Sequence, residues 1–325
     1  MNIQTNSSQP LVTIITSSYN QANYICETVD SILSQDYPNI EYLILDDSST
    51  DGTPEKLAAY GDKIKWQTLP EKTPQTPTIN KGWQMTEGDI ITWLNSDDTF
   101  YPGAIRKIVE YFEAHPETGI VFGDSMFTEA DGTNIVSSEP VPDFNFRDYV
   151  LNCINVITQP SAFIRREVIE KIGNLDESYN YIMDWDFWLR AGLSFKIDYI
   201  PEMLSTYRLH PNSKSVAEAK KLAPELEIMY KKFFANDLSE DLRAIEKEAM
   251  MNMCFTSGGY YSEGNDWENA AKMAAKAFKY NPSGIYNLNN LRKYLYCKFA
   301  GKNIYRQTRS IFDGKTGSGN NKISI

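Results

Sequence analysis

The stretch of sequence that decides the fold is residues 89–98, which read DIITWLNSDD. Its first half is apolar and β-branched, which predicts a buried strand that ends near Trp93. Its second half is polar and closes on two adjacent carboxylates, Asp97 and Asp98. Ligands of open α/β sheets bind just beyond the carboxyl ends of the strands. We therefore expect these acids to lie at a ligand-binding edge.

Two adjacent carboxylates at a strand end repel each other unless water or a cation offsets their charge. Oxygen ligands suit a hard divalent ion, Mg²⁺ or Mn²⁺, and such an ion is able to hold a diphosphate. The alternative interpretation is a solvated turn that happens to carry two acids, and the pair alone does not separate the two. The rest of the chain bears on this choice.

The segments before this stretch alternate between strand patterns and helix patterns. Strand patterns cover residues 11–16, 40–45 and 64–69, and the second of them runs directly into Asp46 and Asp47. This βαβα order, with acids at two strand ends, predicts an α/β fold with a mostly parallel sheet and helices on both faces. A dinucleotide-binding fold is disfavoured, because no GxGxxG motif follows the first strand.

Composition and charge limit the classes of function. The 325 residues carry 43 Asp and Glu against 32 Lys and Arg, which gives a net charge of −11. Residues 216–325 are nevertheless basic, with 17 Lys and Arg against 12 Asp and Glu. The front of the chain is therefore strongly acidic and poorly suited to nucleic acid, whereas the back suits an anionic partner.

The cysteine pattern and the hydropathy suggest a compartment. The four cysteines are scattered, without a CxxC pair or a histidine at zinc spacing, which argues against a zinc site and fits a reducing cytosol. No apolar run approaches the roughly 18 residues of a membrane span. Residues 1–10 are polar, lack a signal core and are expected to be disordered. We expect a cytoplasmic protein, with peripheral contact at the inner face of the plasma membrane left open.

Six segments, in their order and spacing, resemble the bacterial type of family-2 glycosyltransferases, which have the GT-A nucleotide-sugar fold. The segments are TIITSSYN at 13–20, LDDSSTDGT at 45–53, GDIITWLNSDD at 88–98, GNLDE at 173–177, MDWDFWLR at 183–190 and YRLH at 207–210. The resemblance implies a GT-A domain over residues 11–215. It also implies an inverting, hexosyltransferase-type reaction that moves a sugar from a UDP or dTDP donor to a saccharide or lipid-linked acceptor, as in polysaccharide or glycolipid synthesis.

The resemblance implies roles for residues at the first two strand ends. Asp47 would accept the N3–H of uracil, a task that suits a carboxylate because it is an acceptor only. Turn capping is the alternative role for this acid. The loop that lines the nucleoside would comprise Ser17, Tyr19 and Asn20.

The resemblance also implies a divalent ion, Mn²⁺ or Mg²⁺, beyond residues 89–98. Asp98 would ligate the ion, and Asp97 would face the ribose or the metal. The ion would offset the charge of the departing diphosphate. His210 would reach the ion or the diphosphate, although a lone histidine is as often structural.

Asp184 is the candidate catalytic base, because inverting transfer needs a carboxylate that takes a proton from the acceptor hydroxyl. Met183 stands where the family often has Glu, and Asp186 is a competitor for the same role. A purely structural acid at a helix start is the other interpretation of Asp184. The neighbouring Trp185, Phe187 and Trp188 are expected to supply both a core face and a sugar-stacking face.

Three further segments lie outside these motifs. Residues 138–158 are irregular, which predicts either a functional loop or a surface excursion. Residues 216–312 have helical spacing and predict a helical C-terminal region, whereas residues 313–325 are rich in Gly, Ser, Lys and Asn and are expected to be disordered. The basic helices either pack on the catalytic domain or on a second subunit, as in a homodimer, or lie on anionic lipid.

Two rival functions belong to other classes. One is a catalytically silent GT-A-like module that binds a nucleotide or a glycan without turnover. The other is a sugar nucleotidyltransferase, which also uses acids and Mg²⁺. This second rival is disfavoured, because no Gly-rich loop with a basic grip for a triphosphate follows the first strand.

Overall fold

The computed structural model describes residues 9–210, 213 and 218–299, which divide into two compact units. The first unit comprises residues 9–144 and 155–210, and the second comprises residues 145–154 and the described residues from 213 onward. The predictions for residues 1–8 and 313–325, and the predicted boundary after residue 215, lie outside the described residues. Residues 9 and 10 are held in place, because the side chains of Asn39 and Tyr37 donate to their carbonyl oxygens.

The first unit is built on one eight-stranded sheet with the order β3-β2-β1-β4-β7-β5-β6, in which β8 pairs with β5. The strands are β1 Val12–Ser18, β2 Ile40–Asp46, β3 Lys65–Thr68, β4 Ile90–Trp93, β5 Thr118–Thr128, β6 Asn134–Ser137, β7 Phe163–Arg165 and β8 Lys196–Arg208. Strands β3, β2, β1 and β4 run parallel, as do β5 and β8. Antiparallel pairs join β7 to β4 and β5, and β6 to β5. The predicted mixed, mostly parallel sheet is confirmed.

The helices of this unit cover both faces of the sheet, as the βαβα order predicts. They are α1 Ile25–Leu33, α2 Thr53–Ala58, α3 Gln75–Gln84, α4 Ala104–Ala114, α6 Arg166–Ile172 and α7 Met183–Ala191. On one face, Val12 and Ile14 of β1 share a core with the apolar sides of α1 and α4. On the other face α3 approaches β1 closely, since a Cβ on Gly82 would come within 2.6 Å of the Ile15 side chain.

The register of the central strands determines where the ligand loops emerge. Ser18 of β1 lies opposite Asp46 of β2, and Ile15 of β1 lies opposite Trp93 of β4. The carboxyl ends of β2, β1 and β4 therefore meet at one edge of the sheet. The polar segments that follow these three strands are consequently neighbours in space.

An aromatic layer fastens α7 to α3 and β4. The ring of Trp188 stacks on Trp93 with centroids 5.8 Å apart and planes 16° apart, and Phe187 meets Trp83 edge-on at 5.5 Å. Trp185, Phe187 and Trp188 are all buried. The three aromatic residues of α7 therefore form a core face, and the expected sugar-stacking face is absent from them.

The second unit contains α5 Phe146–Asn152, α8 Leu222–Phe234, α9 Glu240–Ala244, α10 Glu246–Glu263, α11 Trp267–Tyr280 and α12 Leu288–Phe299. The hydroxyl of Tyr230 in α8 donates to the carbonyl of Val150 in α5 (2.9 Å), which ties the 145–154 segment to the later helices. All of its described regular elements are helices, which confirms the predicted helical C-terminal region. In the described part of the chain, every helix is too short or too polar to traverse a bilayer.

Replacing the Trp188 side chain tests the aromatic layer. Trp188→Ala should lower the free energy of unfolding by about 3–5 kcal/mol, because a large buried ring is replaced by a cavity. Trp188→Phe keeps an aromatic partner for Trp93 and should cost clearly less. Urea unfolding followed by circular dichroism measures both variants, and equal costs would show that the stacked ring contributes little.

Candidate active site

The loops after β1 and β2 are joined into one polar surface. The backbone N–H of Asn20 donates to Ser49 Oγ (2.8 Å), and the backbone N–H of Thr50 donates to Asn20 Oδ1 (2.9 Å). Asn20 and Ser48 both adopt left-handed backbone conformations, with φ of 53° and 60°. Asparagine tolerates this region better than most residues, so the sequence suits the tight turn. Of the predicted nucleoside loop, Ser17 is buried, whereas Tyr19 and Asn20 are exposed.

Asp47 lies beneath these loops, is only 4% exposed, and is held by α3 and the segment that leads into it. Its Oδ1 accepts hydrogen bonds from the hydroxyls of Thr78 (2.8 Å) and Thr73 (3.0 Å). Its backbone N–H donates to the carbonyl of Ser18 (2.8 Å). The two threonines fix the carboxylate in one orientation. The sequence gives no sign of these two contacts, because nothing in the proline-rich segment of Thr73 and Thr78 indicates a partner so far back in the chain.

The side chain of Asp98 turns into the protein and is only 2% exposed. Its Oδ1 accepts the backbone N–H of Arg208 (2.8 Å), and its Oδ2 accepts the Asn95 amide (3.1 Å). Asn95 in turn accepts a hydrogen bond from the Gln75 amide of α3 (2.8 Å). Burial, and next the neighbouring carboxylate of Asp97, raise the pKa of Asp98 well above its usual range. Both oxygens of this acid face protein donors.

The side chain of Asp97 points to a histidine instead. Its Oδ2 lies 2.9 Å from Nε2 of His210, and the His210 ring lies beside the Tyr24 ring with centroids 5.1 Å apart. The structure thus brings together two predicted site residues that are 113 positions apart in the sequence. A carboxylate and an imidazole in contact form a pair that is able to serve a divalent ion.

Arg208 holds the turn that carries both acids. Its Nε donates to the carbonyl of Asp97 (2.8 Å) and its Nη1 to the carbonyl of Ala130 (2.9 Å), while its Nη2 pairs with Glu27. The guanidinium is 4.9 Å from the Tyr24 ring, and the side chain is buried. Arg208 therefore acts as a structural clamp on the 97–98 turn.

The residues present fit a divalent ion that takes few protein ligands. Among the residues that the structure describes, no group of three or more His, Cys, Asp and Glu is placed to hold a metal. Mg²⁺-type sites on phosphates commonly use one or two protein ligands and fill the remaining positions with phosphate oxygens and water. Asp97 and His210 would be the protein ligands of such an ion, whereas both oxygens of Asp98 accept N–H groups of Arg208 and Asn95.

Asp184 lies in the first turn of α7, half-buried, with the Asn155 amide 3.4 Å from its Oδ2. Burial raises the pKa of Asp184 to about 6, and hydrogen bonds from backbone N–H groups and Asn155 partly oppose this. Asn155 belongs to the irregular segment 138–158. Its position in that segment was the one feature of the sequence that indicated a functional role for it.

Asp186, the competing acid, has a different environment. It is buried, and its Oδ2 pairs with Nε of Arg190 at 2.7 Å across one helical turn. Arg190 also donates to the carbonyls of Ile172 and Asn174. The Asp186–Arg190 pair therefore fastens α7 to the segment before it.

Comparisons with known proteins identify the family of this chain. Residues 13–173 match the family model described as glycosyl transferase family 2. The putative teichuronic acid biosynthesis glycosyltransferase TuaG of Bacillus subtilis is 30% identical over 216 residues, which are 64% of this chain and 82% of that protein. An uncharacterized glycosyltransferase of Rickettsia typhi is 28% identical over 210 residues, 63% of this chain and 66% of the relative, so the chain spans slightly less than two thirds of it.

Solved structures show the same fold at low sequence identity. Staphylococcus aureus TarS 1-349 in complex with UDP-GlcNAc superposes with a TM-score of 0.66 at 17% identity, over 92% of each chain. The mannosyltransferase PcManGT of Pyrobaculum calidifontis, in complex with GDP-Man and Mn²⁺, gives 0.59 at 17% identity, over 95% of this chain and 89% of that one. The chain has the GT-A fold of these glycosyltransferases. The chain belongs to glycosyltransferase family 2.

Shortening the Arg208 clamp tests its structural role. Arg208→Lys should lower the free energy of unfolding by about 1–3 kcal/mol, because an ammonium cannot serve two carbonyls and Glu27 in this geometry and leaves buried acceptors unpaired. Glu27→Gln is the matched control. Its side chain is 56% exposed, so its loss should cost under about 1 kcal/mol. Chemical unfolding measures both, and a larger cost for Glu27→Gln would contradict the clamp.

Proposed function

We propose that the protein is an inverting glycosyltransferase that moves a sugar from a nucleotide diphosphate, most directly a UDP-sugar, to a hydroxyl acceptor, with Asp184 as the base. The observation that carries the proposal is the environment of Asp184. This carboxylate is half-buried, lies beside an amide rather than a cation, and has its pKa raised to about 6. Such a group is ionised at neutral pH and is still basic enough to take a proton in the transition state.

The reaction follows from this assignment. The acceptor hydroxyl attacks the anomeric carbon from the face opposite the diphosphate and passes its proton to Asp184, while the bond from that carbon to the diphosphate oxygen breaks. The products are the glycoside, with inverted configuration, and the nucleoside diphosphate. Asp186 is not assigned this role, because it is held by Arg190 and would have to leave a buried ion pair to reach an acceptor.

The nucleobase is assigned to Asp47 and the joined loops after β1 and β2. A carboxylate accepts the N3–H of uracil, and the hydroxyls of Thr73 and Thr78 would keep it in the orientation for that bond. Ser17, Tyr19 and Asn20 line the same edge of the sheet. The likeness to TarS in complex with UDP-GlcNAc supports a uridine donor.

The divalent ion is assigned to Asp97 and His210. When bound, Mn²⁺ or Mg²⁺ would supply positive charge that stabilises the diphosphate as it leaves. The ligand role that the family resemblance implies for Asp98 is thus proposed for Asp97 instead. Asp98 instead keeps the turn in shape through Asn95 and Arg208.

The acceptor class is assigned more coarsely. A relative named for teichuronic acid biosynthesis supports a saccharide acceptor in the assembly of a polysaccharide. The sugar that is transferred depends on side chains around Asn155 and Asp184, since these lie where the reacting carbon has to be.

The base is tested by a matched pair of substitutions. Asp184→Asn should lower kcat about 10²–10⁴-fold, because the proton acceptor is lost. Asp186→Asn, two residues away, should keep activity and lose stability. In the wild type, kcat should fall about tenfold per pH unit below pH 6, as the base becomes protonated, and level off above pH 7. The rate of nucleoside diphosphate release in the presence of a mixture of acceptors measures kcat of both variants and the pH dependence of kcat in the wild type.

The fold of the Asp184→Asn variant serves as the control. The pKa of Asp184 is raised in the folded state, which means that the folded protein favours the protonated carboxyl. The stability that the protonated carboxyl contributes in acid is therefore lost as the pH rises through about 6. The Asn variant should therefore melt no lower than the wild type at pH 7.5. Full activity in that variant would remove Asp184 from the mechanism.

The ion ligands are tested by another matched pair, Asp97→Asn and Asp98→Asn. The wild type should show a UDP-dependent rise in melting temperature that grows when Mn²⁺ is added. In Asp97→Asn, the addition of Mn²⁺ should no longer increase the UDP-dependent rise in melting temperature. Asp98→Asn should keep this increase but melt lower, because an amide would face the Asn95 donor, at a cost of about 1–3 kcal/mol. The reverse pattern would return the ligand role to Asp98.

A further inference from the structure

The second unit exposes a cluster of large apolar side chains where α12 begins. Residues 282–286 form a 3₁₀ turn that runs into α12 at Leu288. The exposed fraction is 91% for Tyr286, 61% for Leu288 and 45% for Ile285. We call these three residues, together with the exposed Leu295, the α12 apolar patch. Contiguous exposed apolar residues on a folded protein mark a surface for interaction.

Helical spacing places the patch on one side of α12. Leu288, Arg292 and Leu295 follow one another at i, i+4 and i+7 and are all exposed. Asn290 and Cys297 lie on the other side and are buried, with Sγ of Cys297 only 3.0 Å from where a Cβ on Gly258 would stand. The inner side of α12 is thus already packed within its unit, and the patch is its outer side.

The charge around the patch has one sign. Residues 270–299 contain six basic residues and no Asp or Glu; the basic residues are Lys272, Lys276, Lys279, Arg292, Lys293 and Lys298. Two of the lysines are paired with acids of earlier segments, Lys272 with Glu268 and Lys276 with Glu227. Lys279 and Arg292 are exposed, and Arg292 lies between Leu288 and Leu295 on the same side of α12, where it adds positive charge beside the apolar side chains.

We propose that the α12 apolar patch docks the protein on an anionic lipid surface. Tyrosine, isoleucine and leucine side chains enter the interfacial region of a bilayer, and neighbouring lysine and arginine residues attract acidic headgroups. A second copy of this chain is a poorer occupant. A twofold contact would place the patch against itself and bring two basic segments face to face. The patch belongs to the second unit, whereas the candidate active site belongs to the first. Docking through the patch would keep the enzyme beside acceptors that are attached to lipid.

Vesicle co-sedimentation of the full chain tests the proposal. The probes are vesicles of phosphatidylcholine alone and of phosphatidylcholine with about one third phosphatidylglycerol. The wild type should bind the anionic vesicles and release from them at high salt. The triple variant Ile285→Ser, Tyr286→Ser and Leu288→Ser should bind them at least about tenfold more weakly, because it lacks the three apolar side chains that would enter the bilayer.

Controls separate docking from misfolding and from self-association. Ile228→Ser removes an equally exposed side chain, 50% exposed, from α8 in the same unit and should leave vesicle binding unchanged. The melting temperature should be the same in all variants, and sedimentation velocity should give one molecular mass. Equal vesicle binding by the triple variant and the wild type, binding to neutral vesicles as strong as to anionic ones, or a dimer that the triple variant abolishes would each overturn the proposal.

Discussion

Asp98, through its buried carboxylate and its backbone carbonyl, joins three segments at the end of the sheet where the candidate site lies. One oxygen accepts the backbone N–H of Arg208 at the end of β8, and the other accepts the Asn95 amide just after β4. The carbonyl of Asp98 accepts the hydroxyl of Thr28 in α1 (2.8 Å). A buried acid that satisfies donors from separate elements is costly to disturb, because each donor would be left unpaired. The orientation of Asp97 depends on this arrangement.

Adjacent or nearby acids therefore divide two tasks between them. Asp98 is bound by protein donors, and Asp97 meets His210. In α7, Asp186 is held by Arg190, and Asp184 is left beside an amide with a raised pKa. In each pair one carboxylate is bound by protein donors, and the other is the one to which the proposed function assigns chemistry. In the first pair the two acids still interact, since the carboxylate of Asp97 adds to the effect of burial in raising the pKa of Asp98.

The sequence predicted the sheet and the two acidic strand ends, because these depend on local patterns, whereas the role of Asp184 as the base stays a prediction. Alternating apolar segments identify parallel strands, and parallel strands of one sheet bring their carboxyl ends together whatever lies between them. The sequence did not show which of Asp97 and Asp98 turns inward. That choice depends on the backbone N–H of Arg208, 110 residues later in the chain, and a pattern of neighbouring residues carries no information about it.

The same limit explains the other residues that were missed. Thr73 and Thr78 matter only because α3 passes beside Asp47, and Asn155 only because its segment passes beside Asp184. Trp185, Phe187 and Trp188 looked suitable for a sugar, but burial against Trp83 and Trp93 determines their role. Tertiary contacts, rather than composition or spacing, assign such side chains.

Helix α3 is one rigid element that contacts both Asp47 and the turn at residues 95–98. Thr78 holds Asp47, and Gln75, less than one turn earlier, holds Asn95 and through it Asp98. The distance between Asp47 and the 95–98 turn is therefore fixed by less than one turn of helix, which neither loop can alter alone. Under the assignment proposed above, a change of the sugar or of the acceptor would leave the length from nucleobase to diphosphate the same.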